Sequence, residues 1–282
     1  MFNRIGTFFL LGAGALLMAA GAQAGPIPSS GSTASMLKAA VNGNWRSAKA
    51  RARDKYRHPI KTLEFFGIKP DMTVIELTPG GGWYTAILAP FLYAHGQLIE
   101  PTVPAGASKF AVKMAKRYDA KLKADPAVYG HIKRGLPFAP FTAHSKHLKL
   151  GPNDSADMVV TFRNMHDYHN AGNLQGVLEA AYNVLKPGGV LGITDNRAMP
   201  NAKASVVDHT LHRNVEGYMI EAGLKAGFRL AGVSQINANP RDPLTIRVFH
   251  LFPSFAHDSP SQLKKMKAIG GPDAMTLKFV KP

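Results

Sequence analysis

The 282-residue sequence contains no cysteine. A chain without thiols forms no disulfide and offers no thiolate to a metal ion or a substrate, so cysteine catalysis, zinc–thiolate sites and a disulfide scaffold are excluded. Acidic residues are scarce too, with 18 Asp and Glu against 34 Lys and Arg and a formal net charge of +16. Such an excess of positive charge attracts anions, including anionic lipid headgroups and nucleic acid.

Long hydrophobic runs are absent after the first two dozen residues. The apolar run from Ile5 to Ala22 follows Arg4 and leads into Ala22-Gln23-Ala24, a pattern typical of a cleaved secretory signal. An uncleaved membrane anchor is the alternative, because the run approaches the roughly 20 apolar residues that span a bilayer. We predict a signal peptide at residues 1–24 and an exported protein, periplasmic or secreted, that starts at Gly25.

Two segments hold much of the positive charge. We predict that most of these side chains form solvated helix faces, and the same charge allows contact with an anionic membrane surface. Export argues against nucleic acid as a partner, so a small-molecule substrate is expected. The sequence does not determine the oligomeric state. The two sets are Arg46, Lys49, Arg51, Arg53, Lys55, Arg57 and Lys61, and Lys109, Lys113, Lys116, Arg117, Lys121 and Lys123.

The rest of the chain is predicted to form a single domain over residues 44–282, after a flexible leader at 25–43 that is rich in Pro, Ser and Gly. Apolar strands alternate with amphipathic helices, which predicts an α/β fold: a Rossmann-like, doubly wound, mostly parallel sheet with helices on both faces. Residues 253–273 are predicted to be an irregular insertion. The predicted strands are 73–77, 97–100, 139–143, 156–162, 189–195, 230–236, 244–249 and 276–280, and the clearest helices are 173–185 and 215–226.

The central motif is a buried strand that runs into a glycine loop, Val-Ile-Glu-Leu-Thr-Pro-Gly-Gly-Gly-Trp-Tyr-Thr at residues 74–85. Successive glycines let a ligand approach the backbone, and the N–H groups at a helix start can hold an anion. Taken alone, such a loop is equally a tight turn that binds nothing. Glu76 before the loop and Glu100 at the end of the next strand add acidic groups, and an acid in the second position can accept hydrogen bonds from ribose. A dinucleotide pattern would place a glycine near Thr85, so a nicotinamide or flavin cofactor fits less well.

A second motif is the hydrophobic strand at 156–162, which ends abruptly in Arg163, Asn164 and His166. The carboxyl edge of an open α/β sheet is where ligands bind, so these groups are candidate site residues. The alternative is that they merely cap neighbouring loops. A third motif, Leu-Lys-Pro-Gly-Gly-Val-Leu-Gly-Ile-Thr-Asp-Asn-Arg at 185–197, is a helix-turn-strand whose polar end reaches the same edge.

Together these motifs resemble class I S-adenosylmethionine-dependent methyltransferases, and more narrowly a family of exported bacterial predicted methyltransferases with a Pro-Gly-Gly-Gly-Trp-Tyr-Thr loop. The resemblance extends from about Arg51 to the C-terminus. It implies S-adenosylmethionine as cofactor, with Glu76 directed to the cofactor's amino group, the loop around its methionine moiety and Glu100 on its ribose. Thr78 stands where the family has a glycine. The implied cofactor residues are Glu76, Thr78, Pro79, Gly80, Gly81, Gly82, Trp83, Tyr84 and Glu100.

The resemblance also implies the chemistry of the second motif. Methyl transfer depends mainly on alignment of the two reactants, and a base is needed only if the acceptor must lose a proton. His166 is the candidate base, and Arg163 and Asn164 are the candidate positioning groups in the catalytic set. The acceptor is predicted to be a small molecule of unknown identity. The alternative function is a non-catalytic exported binding protein that captures a nucleoside or an anionic envelope ligand.

Three histidine pairs at i and i+3 spacing raise the hypothesis of a metal site. Two of the pairs fall in predicted loops, and no cluster in the sequence supplies a convincing third ligand. We therefore predict no metal site. The pairs are His144 and His147, His166 and His169, and His209 and His212.

Overall fold

The computed structural model describes residues 26–142, 145, 148–203, 210–254 and 259–282, with four short internal gaps. The predicted signal peptide at 1–24 lies outside them. Within these ranges, no helix combines the length and the apolar character needed to cross a membrane.

The chain alternates between strands and helices. The strands are β1 (Thr73–Leu77), β2 (Gln97–Thr102), β3 (Lys133–Pro137), β4 (Ala156–Phe162), β5 (Leu185–Asn196), β6 (Arg229–Ser234) and β7 (Ala274–Val280). The helices are α1 (Thr33–Asn42), α2 (Ala48–Arg51), α3 (Asp54–Arg57), α4 (Pro59–Phe66), α5 (Thr85–Leu92), α6 (Lys109–Ala124), α7 (Pro126–Tyr129), α8 (Met165–Asn170), α9 (Leu174–Val184), α10 (Glu216–Lys225) and α11 (Pro260–Ile269).

All seven strands form one sheet in the order β3-β2-β1-β4-β5-β7-β6. The pairs among β1 to β5 are parallel, whereas β7 runs antiparallel to both β5 and β6. The chain steps outward from β1 to β3 and then returns to place β4 on the other side of β1. Ligands of open α/β sheets bind where the strand order reverses in this way, which here is the carboxyl edge of β1 and β4.

Helices cover both faces of the sheet, so the predicted fold class is confirmed. On one face α1, α4, α5 and α7 pack in one hydrophobic cluster, and on the other face α8, α9 and α10 pack in a second. The predicted strands at 73–77 and 156–162 have the bounds of β1 and β4. Both are buried in the middle of a parallel sheet, where strands are apolar along their whole length and therefore easy to recognise.

The predicted flexible leader is wrong for residues 33–42, which form α1. Ser32 caps this helix by accepting a hydrogen bond from the Ser35 backbone N–H. Its apolar residues are Met36, Leu37, Ala40 and Val41, which are buried in the cluster that contains α5. Burial of a leucine side chain contributes roughly 1.5–3 kcal/mol. The folded domain therefore begins before residue 44.

Three other predictions are corrected. Of the predicted strand at 139–143, the described residues 139–142 do not form a strand; the third strand is β3, which pairs with β2 at the sheet edge, is mostly exposed and carries no apolar pattern. Residues 244–249 do not form a strand, since Leu244 has a positive φ and a 3-10 turn follows at Val248–His250. The irregular insertion at 253–273 contains α11, which begins at a capping box between Ser259 and Gln262.

Candidate functional site

The glycine loop connects β1 to α5 with three residues in the left-handed region. Thr78, Gly80 and Gly82 have φ values of 49°, 59° and 69°. Thr78 adopts this conformation although it has a Cβ, and its hydroxyl accepts a hydrogen bond from Tyr168 at 2.8 Å. Among the described residues other than the adjacent ones in the chain, none has an atom within 4 Å of the position that a Cβ would take on Gly80 or Gly81, so this part of the loop faces open space.

Glu76 and Glu100 are both buried beneath the loop, 2% and 0% exposed. Thr85 donates a hydrogen bond of 2.7 Å to Glu76 Oε2, and Tyr118 donates to Glu100 Oε1. Arg134 Nη1 lies 3.0 Å from Glu100 Oε2. Burial and then the nearby Glu100 charge raise the pKa of Glu76 to about 8. Burial also raises the pKa of Glu100, opposed by the hydrogen bond from Tyr118 and by the charge of Arg134.

Helix α6 covers the remaining part of the loop. A Cβ on Gly82 would lie 2.7 Å from the Tyr118 ring and 2.9 Å from Lys121 Nζ. Lys121 Nζ donates to the carbonyl oxygens of Gly81 and Gly82 at 3.0 and 2.7 Å. Neither Tyr118 nor Lys121 is predicted as a site residue from the sequence, because both lie on a helix whose many basic residues resemble a solvated face.

Trp83 and Tyr84, which the resemblance implies as cofactor residues, pack elsewhere. The Trp83 indole N–H donates to the Ala50 carbonyl at 3.0 Å, and its ring has the Arg57 guanidinium 4.7 Å from its centroid. The Tyr84 ring is stacked on Phe162, with 3.4 Å between centroids. These two side chains hold the N-terminal helices against the sheet.

The first basic segment is not wholly solvated, which corrects the sequence-based expectation. Arg46 is 1% exposed and makes a bidentate ion pair with Asp54. Arg57 is half-buried and shares a narrow cleft with Arg163, Tyr84 and other residues. Burial, followed by the charge of Arg163, lowers the pKa of Arg57.

The residues after β4 have separate roles. Arg163 has a φ of 65° and its backbone N–H donates to the Thr194 carbonyl of β5 at 2.8 Å. The Asn164 amide donates to the Thr78 carbonyl at 3.1 Å. Asn164 therefore ties the end of β4 to the glycine loop.

His166 is 5% exposed and contacts Asp195 at the end of β5. Its Nδ1 lies 3.2 Å from Asp195 Oδ1, while the Asn214 amide donates to Asp195 Oδ2 at 2.7 Å. Its Nε2 lies 3.5 Å from Asp167 Oδ1, so a carboxylate oxygen faces each of the two ring nitrogens. The structure thus places His166, oriented by its contact with Asp195, at the carboxyl edge of the sheet.

His166 also meets His212, a residue from a different one of the predicted pairs. Ligand atoms of His166, Asp167 and His212 all lie within 4.8 Å of one another, a grouping that could hold a metal ion. The spacing of the pairs could not reveal it, because the two histidines come from distant segments. Of the other pairs, His144, His147 and His209 lie outside the described residues.

Comparison with known proteins gives matches by structure alone. No family model matches the chain, and no curated protein matches it in sequence. It is similar to an S-adenosylmethionine-dependent methyltransferase from Aquifex aeolicus, at 15% identity and a TM-score of 0.52 over 90% of this chain and 100% of that one. It is also similar to the [4+2]-cyclase SpnF, at 16% identity and a TM-score of 0.55 over 86% and 85% of the two chains. The likeness establishes a Rossmann-like methyltransferase fold.

The residues present fit one end of S-adenosylmethionine better than the other. Open space above Gly80 and Gly81 leaves room for a ligand on the loop, and Glu76 lies beneath it. Glu100 is engaged by Tyr118 and Arg134, so a ribose could reach its carboxylate only if Tyr118 moved. At the predicted cofactor residues, the loop would therefore admit the methionine part, whereas α6 closes off the carboxylate predicted to bind the ribose.

Proposed function

We propose that the protein is an S-adenosylmethionine-dependent methyltransferase that acts on a small-molecule acceptor. The observation that carries the proposal is the contact between His166 and Asp195 at the sheet edge that also bears the glycine loop. The fold supports the proposal, since a methyltransferase has a similar fold, although a cyclase has one too. The finer resemblance to an exported bacterial family is part of the same proposal.

S-adenosylmethionine supplies a methyl group activated on a sulfonium. His166 would accept the proton that the acceptor loses, and the Asp195 carboxylate would stabilise the resulting imidazolium. Asn164 would hold the loop and the β4 edge in register through its hydrogen bond to the Thr78 carbonyl. Burial of His166 and Asp195 strengthens the electrostatic interaction between them.

Calorimetry of the purified protein with S-adenosylmethionine and S-adenosylhomocysteine tests the first step. We expect saturable binding of both, and release of S-adenosylhomocysteine when a suitable acceptor is present. Absence of binding for both compounds at millimolar concentration would contradict the proposal. Adding a chelator to the activity assay separates base catalysis by His166 from a role for a metal ion. Turnover that depends on a metal ion would be lost, whereas turnover that depends on His166 as a base would remain.

A non-catalytic binding protein is the second candidate, and one observation favours it. Tyr118 and Lys121 cover Gly82, and the Glu100 carboxylate is already paired with Arg134. A protein that keeps this arrangement would bind an anionic ligand without using the cofactor. Binding of an anion together with failure to bind S-adenosylhomocysteine would select this function.

We also propose that the protein is exported and that the segment ending at Ala24 is removed. The support is the sequence pattern before Gly25, and the net positive charge would favour contact with anionic membrane surfaces. Mass spectrometry of the protein recovered from outside the cytoplasm should give an N-terminus at Gly25. An intact Met1 would overturn the cleavage.

A further inference from the structure

A narrow cleft at the carboxyl edge of the sheet is lined by residues from distant parts of the chain. Its walls include Arg57 from α3, Tyr84, Arg163 after β4, and Asn237 before β7. The volume that a water-sized molecule can occupy inside it is only about 10 Å³. A ligand of the two arginines would therefore lie at the mouth of the cleft rather than inside it.

The two arginines in this cleft have no carboxylate partner among the described residues, although the Arg57 guanidinium lies 4.7 Å from the centroid of the Trp83 ring. Arg46, Arg134, Arg197 and Arg213 each form an ion pair with an Asp or Glu. Among the residues that the structure describes, the guanidinium groups of Arg57 and Arg163 have neither an ion pair nor a hydrogen bond.

A third arginine adds to the positive charge around the cleft. Arg53 Nε is buried without a hydrogen-bond partner in the described part of the chain. Burial and then the charge of Arg53 lower the pKa of Arg163 to about 10. Arg57 and Arg163 also repel each other. Burying like charges together is costly, and an anion bound between them would offset that cost.

The cleft lies at the same edge of the sheet as the proposed base. Thr194 lines the cleft, and Asp195, which contacts His166, follows it near the end of β5. A molecule anchored at the cleft would therefore lie at the edge of the sheet that carries His166. An anchor of this kind fixes the reacting group in position, which is what an alignment-dependent reaction needs.

We propose that the mouth of the cleft, between Arg57 and Arg163, binds a small oxyanion, a carboxylate or a phosphate, and that this group belongs to the methyl acceptor. Guanidinium groups match both oxyanions through paired N–H donors. The second half of the statement rests on the proposed methyltransferase function, whereas anion binding itself does not.

Thermal unfolding in phosphate, in acetate and in sodium chloride of equal ionic strength tests anion binding without the cofactor. At about five times the dissociation constant, an oxyanion should raise Tm by on the order of 2 to 4 °C beyond chloride. Arg57→Gln and Arg163→Gln should each abolish this rise, and each should raise Tm in dilute buffer by removing the repulsion. Arg117→Gln removes an exposed charge on α6 and should leave the anion response intact. A larger rise of Tm in acetate would identify a carboxylate site, and a larger rise in phosphate would identify a phosphate site.

Chemical modification of the wild-type protein gives an answer that does not depend on the folding of variants. Phenylglyoxal labels arginines, and peptide mass spectrometry should show that the effective oxyanion protects Arg57 and Arg163 but not Arg117. Equal labelling with and without oxyanion, or an equal Tm rise in the Gln variants, would overturn the cleft as an anion site.

The link to the methyl acceptor has its own test. In a methyl-transfer assay, the effective oxyanion should inhibit competitively against the acceptor and not against S-adenosylmethionine. If Arg57 and Arg163 are protected but inhibition is competitive with S-adenosylmethionine, the acceptor assignment fails. If they are protected and no methyl transfer occurs with any acceptor, the anion site is supported and the proposed function is the part that fails.

Discussion

Replacing Glu76 by glutamine tests whether the buried carboxyl beneath the glycine loop is neutral. Its pKa is raised from an ordinary 4.5 to about 8 by burial and by Glu100. Because each tenfold change in proton affinity is worth about 1.4 kcal/mol, the ionised form is disfavoured by up to about 5 kcal/mol. The folded protein retains a proton that the unfolded chain releases between these two pKa values. The free energy of unfolding therefore falls as the pH rises from 4.5 to about 8.

Glutamine cannot ionise, so this contribution to the pH dependence disappears in Glu76→Gln. Near pH 5 the variant and the wild type should have similar stabilities, and near pH 9 the variant should be more stable by up to about 5 kcal/mol. Urea unfolding at several pH values measures the difference, with Glu64→Gln as the exposed control. A constant stability difference across this range would refute a neutral Glu76.

The same proton links Glu76 to the cofactor. The ammonium group of S-adenosylhomocysteine would favour the Glu76 carboxylate, so binding near pH 6 to 7 should release a proton. Methylthioadenosine, which lacks the amino acid part, should release none. Calorimetry in buffers of different ionisation enthalpy measures the release. Equal proton release with both ligands would place the ammonium away from Glu76.

Four further variants test the site. Gly81→Val should remove S-adenosylhomocysteine binding at little cost in stability. Gly82→Val should also destabilise the fold by about 1–3 kcal/mol, because Gly82 has a positive φ and its added side chain would meet α6. Calorimetry measures the affinity and urea unfolding the stability; unchanged affinity in both variants would exclude the loop as a cofactor site. His166→Ala should lower turnover by about 10²- to 10⁴-fold with cofactor affinity nearly unchanged, as read by product release and calorimetry; unchanged turnover would exclude it as base. Tyr118→Phe should raise S-adenosylhomocysteine affinity by freeing the Glu100 carboxylate, and a weaker affinity would make Tyr118 a cofactor ligand.

The sequence predicted the strands that have apolar surroundings on both faces of the sheet. Strands β1 and β4 are buried on both faces, so their apolar runs identify them directly. Strand β3 lies at the sheet edge with polar residues, and its position is set by pairing with β2, which the sequence does not display. Helix α1 was missed because its short apolar stripe lies next to a Pro- and Ser-rich segment.

The sequence predicted those residues of the candidate site that directly follow the end of a strand. The loop at 78–82 and the residues after β4 lie at the sheet edge because parallel strands all end there. The contacts between His166 and Asp195, and between Glu100 and Tyr118, join residues far apart in the chain. Arg57 carries the same charge as its solvated neighbours, and only the packing of α3 against the sheet encloses it.

The position of β7 constrains how the molecule can fold. This strand follows the other six in the sequence, yet it lies between β5 and β6 and pairs with both. Until Ala274 to Val280 is in place, β5 and β6 each present an unpaired edge that can associate with other chains. Such non-local pairing is slow, which prolongs that exposure. A chain interrupted before Ala274 would lose both pairings at once, and we expect it to aggregate rather than to persist as a smaller folded unit.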